Sequence, residues 1–257
     1  MQTIILAGGL GTRLAEETET RPKPLVEIGA QPILWHILKH YNFYGHNEFF
    51  IALGYKGEMI KRFFLDYSNL NGQITTIDMQ SGKVSSNQTN CEPWIVHLVD
   101  TGQNTNTGGR VKRMAPLIKK APFFITYGDG VSNIDLNALL AFHKSQKKMV
   151  TISAVRPPAR FGGLEFDGDL VVRFTEKPQT GEGWINGGFM VCEPELMDII
   201  KDDGSSLEAD ALDYLASTNQ IAAYKHYGFW QCMDTLRDKR LLESMWQNGN
   251  APWKIWQ

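Results

Sequence analysis

Few cysteines occur in this sequence, and their spacing argues against several kinds of structural support. The 257 residues include Cys91, Cys192 and Cys232, and no two of these form a CxxC pair. An odd number of widely separated cysteines argues against a disulfide framework and against a structural zinc site. The pattern is typical of a protein in a reducing compartment, and we expect the cytoplasm.

The chain also lacks a large excess of charge and a long hydrophobic run. It has 26 basic and 28 acidic residues, which gives a formal net charge of -2 at pH 7. This balance argues against broad binding of nucleic acid or of an anionic membrane, although it allows a local basic pocket for a small phosphate compound. The first apolar run, residues 3–7, has no basic flank and is too short for a signal peptide or a membrane span.

Segments of strand and helix character alternate along the chain. Continuous apolar runs predict buried strands, and a period of about 3.6 residues predicts helices. The predicted strands cover residues 3–7, 48–55, 123–130 and 149–155. The predicted helices cover residues 32–45, 56–67, 133–146, 194–200, 206–216 and 236–249. This order predicts an α/β fold with a mostly parallel central sheet flanked by helices.

A polar stretch over residues 68–107 is rich in Ser, Asn, Gly and Thr and is interrupted by WIVHLVD at 94–100. We interpret it as a long loop or hairpin excursion from the sheet, because loops of this length are commonly functional or mobile. The sequence contains no internal repeat and no clean interdomain linker. We therefore expect a single domain over residues 1–257.

The stretch LAGGLGTRL, residues 6–14, carries the clearest chemical signal. Gly8, Gly9 and Gly11 follow the first predicted strand, and ligands of open α/β sheets bind beyond such carboxyl ends. Glycines let backbone N–H groups approach an anion closely, and the guanidinium of Arg13 suits phosphate oxygens. The GxGxxG fingerprint fails because residue 14 is leucine, and the GxxxxGK[ST] loop fails because no lysine follows the glycines. The stretch predicts another type of phosphate cradle, with an ordinary tight turn as the alternative.

This glycine stretch, together with RPKPLVEIGAQPIL at 21–34, resembles the signature of the sugar-1-phosphate nucleotidylyltransferases. Three later stretches agree with that family in the same order: YGDG at 127–130, FTEKP at 174–178 and INGGF at 185–189. The resemblance spans almost the whole chain. It implies a Rossmann-like nucleotidyltransferase fold with a sugar-binding elaboration, in which Arg13 and Lys23 face the phosphates of the nucleotide.

Further stretches resemble the branch of this family that uses CTP and glucose 1-phosphate, namely DTG at 100–102, TGGRVKR at 107–113, GFWQCMDTLRDK at 228–239 and APWK at 251–254. The implied reaction transfers CMP from CTP to α-D-glucose 1-phosphate and gives CDP-glucose and pyrophosphate. In bacteria, CDP-glucose usually leads to dideoxysugars of surface polysaccharide such as the O-antigen of lipopolysaccharide. The resemblance also implies a homo-oligomer, for example a hexamer, with the 68–107 excursion reaching a neighbour.

The resemblance assigns site residues position by position. Asp129 and Asp234 would bind Mg²⁺, which carboxylates and substrate phosphates commonly hold together. The implied catalytic residues are Arg13, Lys23, Asp129, Lys177 and Asp234. The implied nucleotide-binding residues are Leu6, Ala7, Gly8, Gly9, Gly11, Thr12, Arg13, Lys23, Thr107, Gly108, Gly109, Arg110 and Gly128. The implied sugar-binding residues are Glu176, Lys177, Asn186, Gly187, Gly188 and Glu208.

The implied chemistry needs no nucleophilic side chain, because the attacking phosphate oxygen is already ionised at neutral pH. Arg13 would stabilise charge on pyrophosphate, Lys23 would reach the α-phosphate and Lys177 would neutralise the sugar phosphate. Without the resemblance, Asp129 is better explained as a turn-capping residue and Asp234 as the N-cap of the last helix. The lysines would then be solvated surface residues.

Residues 205–212, SSLEADAL, depart from the pattern of the CTP-using branch. Glu208 matches, whereas Leu207 stands in place of an aromatic residue and Ala211 in place of proline. Because this region borders the sugar pocket in relatives, another sugar 1-phosphate remains an alternative, as does another nucleotide such as dTTP or UTP. A non-catalytic sugar-nucleotide-binding subunit is a third alternative, which the presence of all the implied catalytic residues disfavours.

Two further sets of residues invite a functional interpretation but are better explained by packing. His36 and His40 lie four apart on one predicted helical face and lack the glutamate of HExxH, so we expect an ordinary helix there. Trp246, Trp253 and Trp256 have rings that could stack on a sugar, but burial or a subunit contact is the simpler interpretation.

Overall fold

Seven strands form one central sheet in the structure, a computed structural model that describes residues 1–70, 75–86, 91–157, 163–175 and 183–256. The strands are β1 (Gln2–Leu6), β2 (Glu27–Ile28), β3 (Gln31–Pro32), β4 (Glu48–Leu53), β5 (Thr75–Asp78), β6 (Lys83–Ser86), β7 (Ile95–Asp100), β8 (Phe123–Tyr127), β9 (Gly130–Ser132), β10 (Val150–Val155), β11 (Gly163–Asp167), β12 (Leu170–Thr175), β13 (Ile185–Cys192), β14 (Ile221–Lys225) and β15 (Trp230–Cys232). The helices are α1 (Ala15–Thr18), α2 (Ile33–Phe43), α3 (Gly57–Leu70), α4 (Thr107–Met114), α5 (Leu136–Gln146), α6 (Leu196–Ile199), α7 (Asp213–Ser217) and α8 (Leu236–Gln247), with 3-10 turns at Thr12–Leu14 and Lys23–Leu25 and a π-helical segment at Leu207–Leu212.

The strand order of the central sheet is β14-β10-β13-β8-β1-β4-β7. β1 is parallel to β4 and β8, β4 is parallel to β7, and β10 is parallel to β14. β13 runs antiparallel to both of its neighbours, β8 and β10. The expected α/β fold with a mostly parallel sheet is therefore confirmed.

The burial of β1 shows why its apolar sequence forms a central strand. Every residue of β1 is buried. Successive side chains point to opposite faces of the sheet, so Ile5 packs in one core cluster and Ile4 in another. The first cluster includes Leu242 of α8, and the second includes Val111 of α4. Helices thus cover both faces of the sheet, as buried parallel strands require.

The polar stretch at 68–107 contains the antiparallel hairpin β5–β6, after which β7 returns to the edge of the central sheet beside β4. This agrees with an excursion that the apolar WIVHLVD run interrupts. Two predicted helices are altered: the one at 206–216 divides into the π-helical segment and α7. The one at 194–200 shortens to α6, which ends at Ile199 because Ile200 takes an extended backbone conformation.

The parallel strands place the carboxyl ends of β1, β4, β7 and β8 at one edge of the sheet. The candidate site lies at that edge. Among the described residues, no helix is long and apolar enough to cross a membrane. That residues 1–257 form one domain stays a prediction.

Candidate active site

The glycine loop follows β1 at the carboxyl edge of the sheet. Gly11 has a φ of +66°, in the left-handed region, and a Cβ there would lie 2.9 Å from Thr18 Cγ2. A Cβ on Gly8 would lie 2.4 Å from the guanidinium carbon of Arg110. The backbone conformation at Gly11 therefore favours glycine, and a side chain at position 8 would displace the guanidinium of Arg110.

A cavity of about 330 Å³ opens beside this loop. Its lining consists of Leu6, Ala7, Gly8, Gly9, Gly11, Thr12, Arg13, Lys23, Pro24, Thr105, Asn106, Thr107, Arg110, Tyr127, Gly128 and Asp129. Most of the predicted nucleotide-binding residues are in this set, but Gly108 and Gly109 are not. Added Cβ atoms there would lie 2.7 Å from the Ser205 carbonyl oxygen and 2.5 Å from Asp203 Cα. These glycines let α4 pack closely on the segment that precedes the π-helix.

Two carboxylates meet at the cavity because β9 pairs with β15. Asp129 directly precedes β9, Asp234 is the second residue after β15, and Gly130 is the register partner of Cys232. The N–H of Met233 donates to the carbonyl oxygen of Asp129 over 2.8 Å. A small antiparallel pairing between distant parts of the chain thus brings the two predicted metal ligands together.

Lys23 lies between these carboxylates. Its Nζ is 2.7 Å from Asp129 Oδ2 and 2.5 Å from Asp234 Oδ1. Arg13 Nη1 lies 2.9 Å from the other oxygen of Asp234, while most of the Arg13 side chain remains exposed. We call Lys23, Asp129 and Asp234 the carboxylate–lysine site. Together with Arg13, it joins four of the predicted catalytic residues in one ionic cluster.

The charges of this cluster stabilise one another. Burial alone would lower the pKa of Lys23, but Asp129 and Asp234 outweigh it and raise that pKa above its usual value of 10.5. Burial would raise the pKa of Asp234, but Lys23 and Arg13 outweigh it and hold that pKa below 3.8. Lys23 and Asp234 are therefore both charged at neutral pH.

The same geometry tests whether a divalent metal fits. A single cationic atom, Lys23 Nζ, contacts both Asp129 and Asp234, so the two carboxylates can share one cation. Within the described ranges, no group of three or more His, Cys, Asp or Glu side chains is arranged to hold a metal. Two carboxylates supplemented by phosphate oxygens and water form an arrangement that Mg²⁺ commonly uses. The residues present therefore fit a divalent metal.

Arg110 is buried beneath the glycine loop and donates to neutral oxygens. Its Nη1 lies 2.9 Å from the Leu53 carbonyl oxygen, 2.7 Å from Thr101 Oγ1 and 2.8 Å from the Gly102 carbonyl oxygen. Its Nη2 donates to the Gly8 carbonyl oxygen over 3.1 Å. Because these acceptors follow or end β1, β4 and β7, Arg110 ties three strand ends together at the cavity wall.

The predicted sugar motif lies on β13, next to β8. The Gly188 N–H donates to Asn186 Oδ1 over 2.9 Å, and the Gly187 carbonyl accepts from Trp230 Nε1 over 2.7 Å. Gly188 has a φ of +80°, and a Cβ there would lie 2.4 Å from the ring of Tyr127. A small second cavity lies against this motif, and Tyr127 and Asp129 line both cavities.

Glu208, the remaining described member of the predicted sugar-binding set, belongs to the π-helical segment. Its carboxylate accepts hydrogen bonds from the hydroxyls of Tyr127, Thr107 and Ser206. Burial would raise the pKa of Glu208, but these hydroxyl contacts outweigh it and lower the pKa below 4.5. Glu208 thus joins α4 to the end of β8. Glu176 and Lys177 lie outside the described residues.

A comparison with protein families agrees with this geometry. The family model described as nucleotidyl transferase matches residues 2–238. The chain belongs to the nucleotidyl transferase family. The match includes the glycine loop and both residues Asp129 and Asp234, so the cluster described above lies within the family region of the chain.

Curated relatives of this nucleotidyl transferase extend over its full length. The chain is 47% identical over 258 residues to the glucose-1-phosphate cytidylyltransferase of Salmonella typhi, with 100% of both chains covered. It is 40% identical over 257 residues to the probable glucose-1-phosphate cytidylyltransferase of Bacillus subtilis, again with 100% of both covered. The crystal structure of HddC from Yersinia pseudotuberculosis matches with a TM-score of 0.68 at 24% identity, covering 95% of this chain and 99% of that one. That likeness shows the shared fold.

Sequence reasoning missed several residues that line the cavity of this nucleotidyl transferase, namely Pro24, Thr105, Asn106 and Tyr127. Pro24 and Tyr127 stand inside PKP and YGDG, so their neighbours in those motifs were an available signal. Asn106 is the N-cap of α4, and its side chain accepts from the Thr107 N–H over 2.8 Å. An asparagine before a helix gives a capping signal, but nothing in the sequence shows that this helix begins at the cavity.

Proposed function

We propose that this nucleotidyl transferase joins CTP to α-D-glucose 1-phosphate and releases CDP-glucose and pyrophosphate. The proposed chemistry is supported by one observation: Asp129 and Asp234 both contact a single cationic atom, Lys23 Nζ, beside the glycine loop. The choice of substrates is supported by 47% identity over the full length to a glucose-1-phosphate cytidylyltransferase.

The proposed reaction relies on positioning and charge. A phosphate oxygen of glucose 1-phosphate attacks the α-phosphorus of CTP, and pyrophosphate leaves from the opposite side. Since that oxygen is ionised at neutral pH, no side chain has to remove a proton. The backbone of the glycine loop and Arg13 bind the leaving phosphates, and Lys23 stabilises charge at the α-phosphate.

Asp129 and Asp234 would hold the divalent metal of the family, and we propose Mg²⁺ because both ligands are hard carboxylate oxygens. When bound, the ion supplies positive charge that offsets repulsion between the two anionic substrates. Arg13 keeps Asp234 oriented through the ion pair at 2.9 Å. Asp129 is held by the register of β9 against β15.

The sugar is proposed to bind beside the end of β8 and the start of β13, against the second cavity. Asn186, Gly187 and Gly188 line the second cavity there, and Tyr127 separates it from the nucleotide cavity. Glu208 orients Tyr127 and borders this region. Glu176 and Lys177 remain proposed contacts of the sugar and its phosphate. The homo-oligomer and the cytoplasmic location remain predictions from the sequence.

The test is pyrophosphate release in the presence of Mg²⁺ and glucose 1-phosphate, with CTP, UTP, dTTP, ATP and GTP assayed separately. We expect release with CTP and little with the other nucleotides. Preference for another nucleotide would keep nucleotidyl transfer and overturn the choice of CTP. Silence with all five would overturn the choice of glucose 1-phosphate, or transfer itself if other sugar phosphates also gave no release.

A further inference from the structure

The position of Lys23 raises a question that its proposed contact with phosphate does not answer. The ammonium contacts one oxygen of Asp129 and one of Asp234, and only 11% of the Lys23 side chain is exposed. The Asp234 side chain is 10% exposed. Two carboxylates so close in a partly buried site repel one another unless a cation lies between them. In the structure Lys23 supplies that cation.

We propose that Lys23 is a built-in counter-ion that competes with the divalent metal for Asp129 and Asp234 until nucleotide phosphates draw the ammonium away. The inference rests on the proposed function of the same site. In this proposal Lys23 sets the order of binding as well as contacting a phosphate. The metal binds weakly to the nucleotide-free protein and tightly once the nucleotide is bound.

The competition follows from space and charge. Lys23 Nζ already lies in contact with the two oxygens that would hold the metal. A divalent ion bound by the same pair of oxygens needs the space that the ammonium fills, and two cations that close repel strongly. Lys23 therefore has to leave before both carboxylates can turn to the metal.

The local structure lets the ammonium move while the backbone stays fixed. The turn Lys23–Leu25 is closed by hydrogen bonds from Leu25 N to the Pro22 carbonyl oxygen over 2.8 Å and from Val26 N to the Lys23 carbonyl oxygen over 3.0 Å. The side chain beyond it lines the same cavity as the glycine loop. Rotation about its flexible stem is enough to carry the charge from the carboxylates to a phosphate in that cavity.

The experiment measures Mn²⁺ binding to nucleotide-free protein by calorimetry and by the electron paramagnetic resonance signal of free Mn²⁺. Wild type is compared with Lys23→Met and with the matched control Lys239→Met, because Lys239 pairs with Glu17 outside the carboxylate–lysine site. We expect Lys23→Met to bind Mn²⁺ about tenfold more tightly or better than wild type, since a competing positive charge is lost. Lys239→Met should bind like wild type.

Two further variants keep the result interpretable. Lys23→Gln tests the same prediction if the methionine variant folds poorly, as judged by circular dichroism. Adding Asp129→Asn to Lys23→Met should remove the gain, which places the extra affinity at this pair of carboxylates. Mn²⁺ binding to the Lys23 variants no tighter than to wild type would overturn the proposal. Because no CTP or sugar phosphate is present, this outcome is independent of the nucleotide assay that tests the proposed function.

Discussion

The carboxylate–lysine site can be compared with a second cluster, which includes a histidine of α2 and which we call the aromatic cap: His36, Trp246, Trp253 and Trp256. In the cap, His36 Nε2–H donates to the Ile28 carbonyl oxygen over 2.9 Å, and Trp253 Nε1–H donates to His36 Nδ1 over 3.3 Å. His36 and Trp253 are almost completely buried. In the site, by contrast, the charged groups satisfy one another at the wall of a cavity.

The difference lies in whether a polar group still has a possible partner outside the protein. Both nitrogens of His36 are used inside the chain, so the histidine packs as a neutral ring and has no atom left for zinc. His40, which lies four residues after His36 on the same helix, is also buried. Lys23, Asp129 and Asp234 contact each other but line or border open space, where a metal or phosphate can replace those contacts. A polar side chain can therefore take part in function when a ligand can replace the contacts that it makes within the protein.

The largest effect is expected from Asp129→Asn, which removes a charge from the site and leaves the cap untouched. Turnover should fall by about 10³-fold or more, because a metal held against the phosphates contributes several kcal/mol to the transition state. Steady-state kinetics at saturating Mg²⁺ measure this, with Asp66→Asn on the exposed side of α3 as the control. Near-normal rates for Asp129→Asn would remove that residue from the metal site.

The reciprocal change, Trp253→Ala, should affect folding and spare the chemistry. Removing this buried ring should lower the free energy of unfolding by about 3 kcal/mol or more. Urea unfolding measures the loss, and turnover is normalised to the folded fraction. Phe43→Ala, which removes an exposed ring of α2, should cost far less. Loss of turnover per folded molecule without a loss of stability would give the aromatic cap a catalytic role and contradict its assignment as a packing cluster.

The buried histidines and the carboxylate–lysine site should lose their contributions to the free energy of unfolding in different pH ranges. Burial lowers the pKa of His36, His40 and His46 to about 4 from 6.5, so the unfolded state binds more protons between those values. The free energy of unfolding should therefore fall as pH drops from 6.5 toward 4, by at most about 1.4 kcal/mol per pH unit for each histidine. The pKa of Asp234 is lowered from 3.8, so the stability that this carboxylate contributes to the folded state is lost only when the pH falls below 3.8.

Urea titrations at pH 7, 6, 5 and 4.5 follow this dependence. His36→Gln should flatten part of the slope, since the variant has no ring to protonate. A free energy of unfolding that stays constant across this range would show that the buried histidines do not remain neutral in the folded protein.

The smallest effect is expected next to Asp234. Thr235 is the N-cap of α8: its hydroxyl accepts from the Asp238 N–H over 3.2 Å, and Asp238 Oδ2 accepts from the Thr235 N–H over 2.9 Å. Thr235→Ala should lower the free energy of unfolding by about 1 kcal/mol and leave turnover nearly unchanged. Thr235→Ser, which keeps the hydroxyl, should restore most of the stability. An equal loss of stability in both variants would show that the N-cap hydrogen bond of Thr235 contributes little to the free energy of unfolding.

Much of the fold followed from the sequence because buried strands carry their own signal. The apolar runs that became β1, β4, β8 and β10 are long enough to recognise, and α2, α3 and α5 lie in stretches with helical periodicity, whereas α4 was not predicted. The pairing of β9 with β15 could not be read in this way. Backbone hydrogen bonds between short, distant strands leave no pattern in side chains, yet this pairing brings Asp129 to Asp234.

The candidate site was predictable to a similar extent. Glycines after a strand and an arginine indicated a phosphate cradle, but only the family resemblance selected Lys23 and Asp234 from ordinary surface and capping residues. The sequence alone suggested that Asp234 caps α8, and the structure gives that cap to its neighbour Thr235. Gly108 stands in a motif ascribed to nucleotide binding, which stays a prediction, and a Cβ there would meet the backbone of residues 205–207. A sequence does not state which neighbour a helical glycine faces.

The most direct measurement is the rate of CDP-glucose formation by Asp234→Asn beside that of Thr235→Ala, at equal concentrations of folded protein with saturating CTP, glucose 1-phosphate and Mg²⁺. These adjacent residues share one turn of chain but face different partners, Lys23 and Asp238. We expect Asp234→Asn to lose nearly all product formation and Thr235→Ala to keep it. Equal, near-normal rates for both variants would contradict a chemical role for the carboxylate pair.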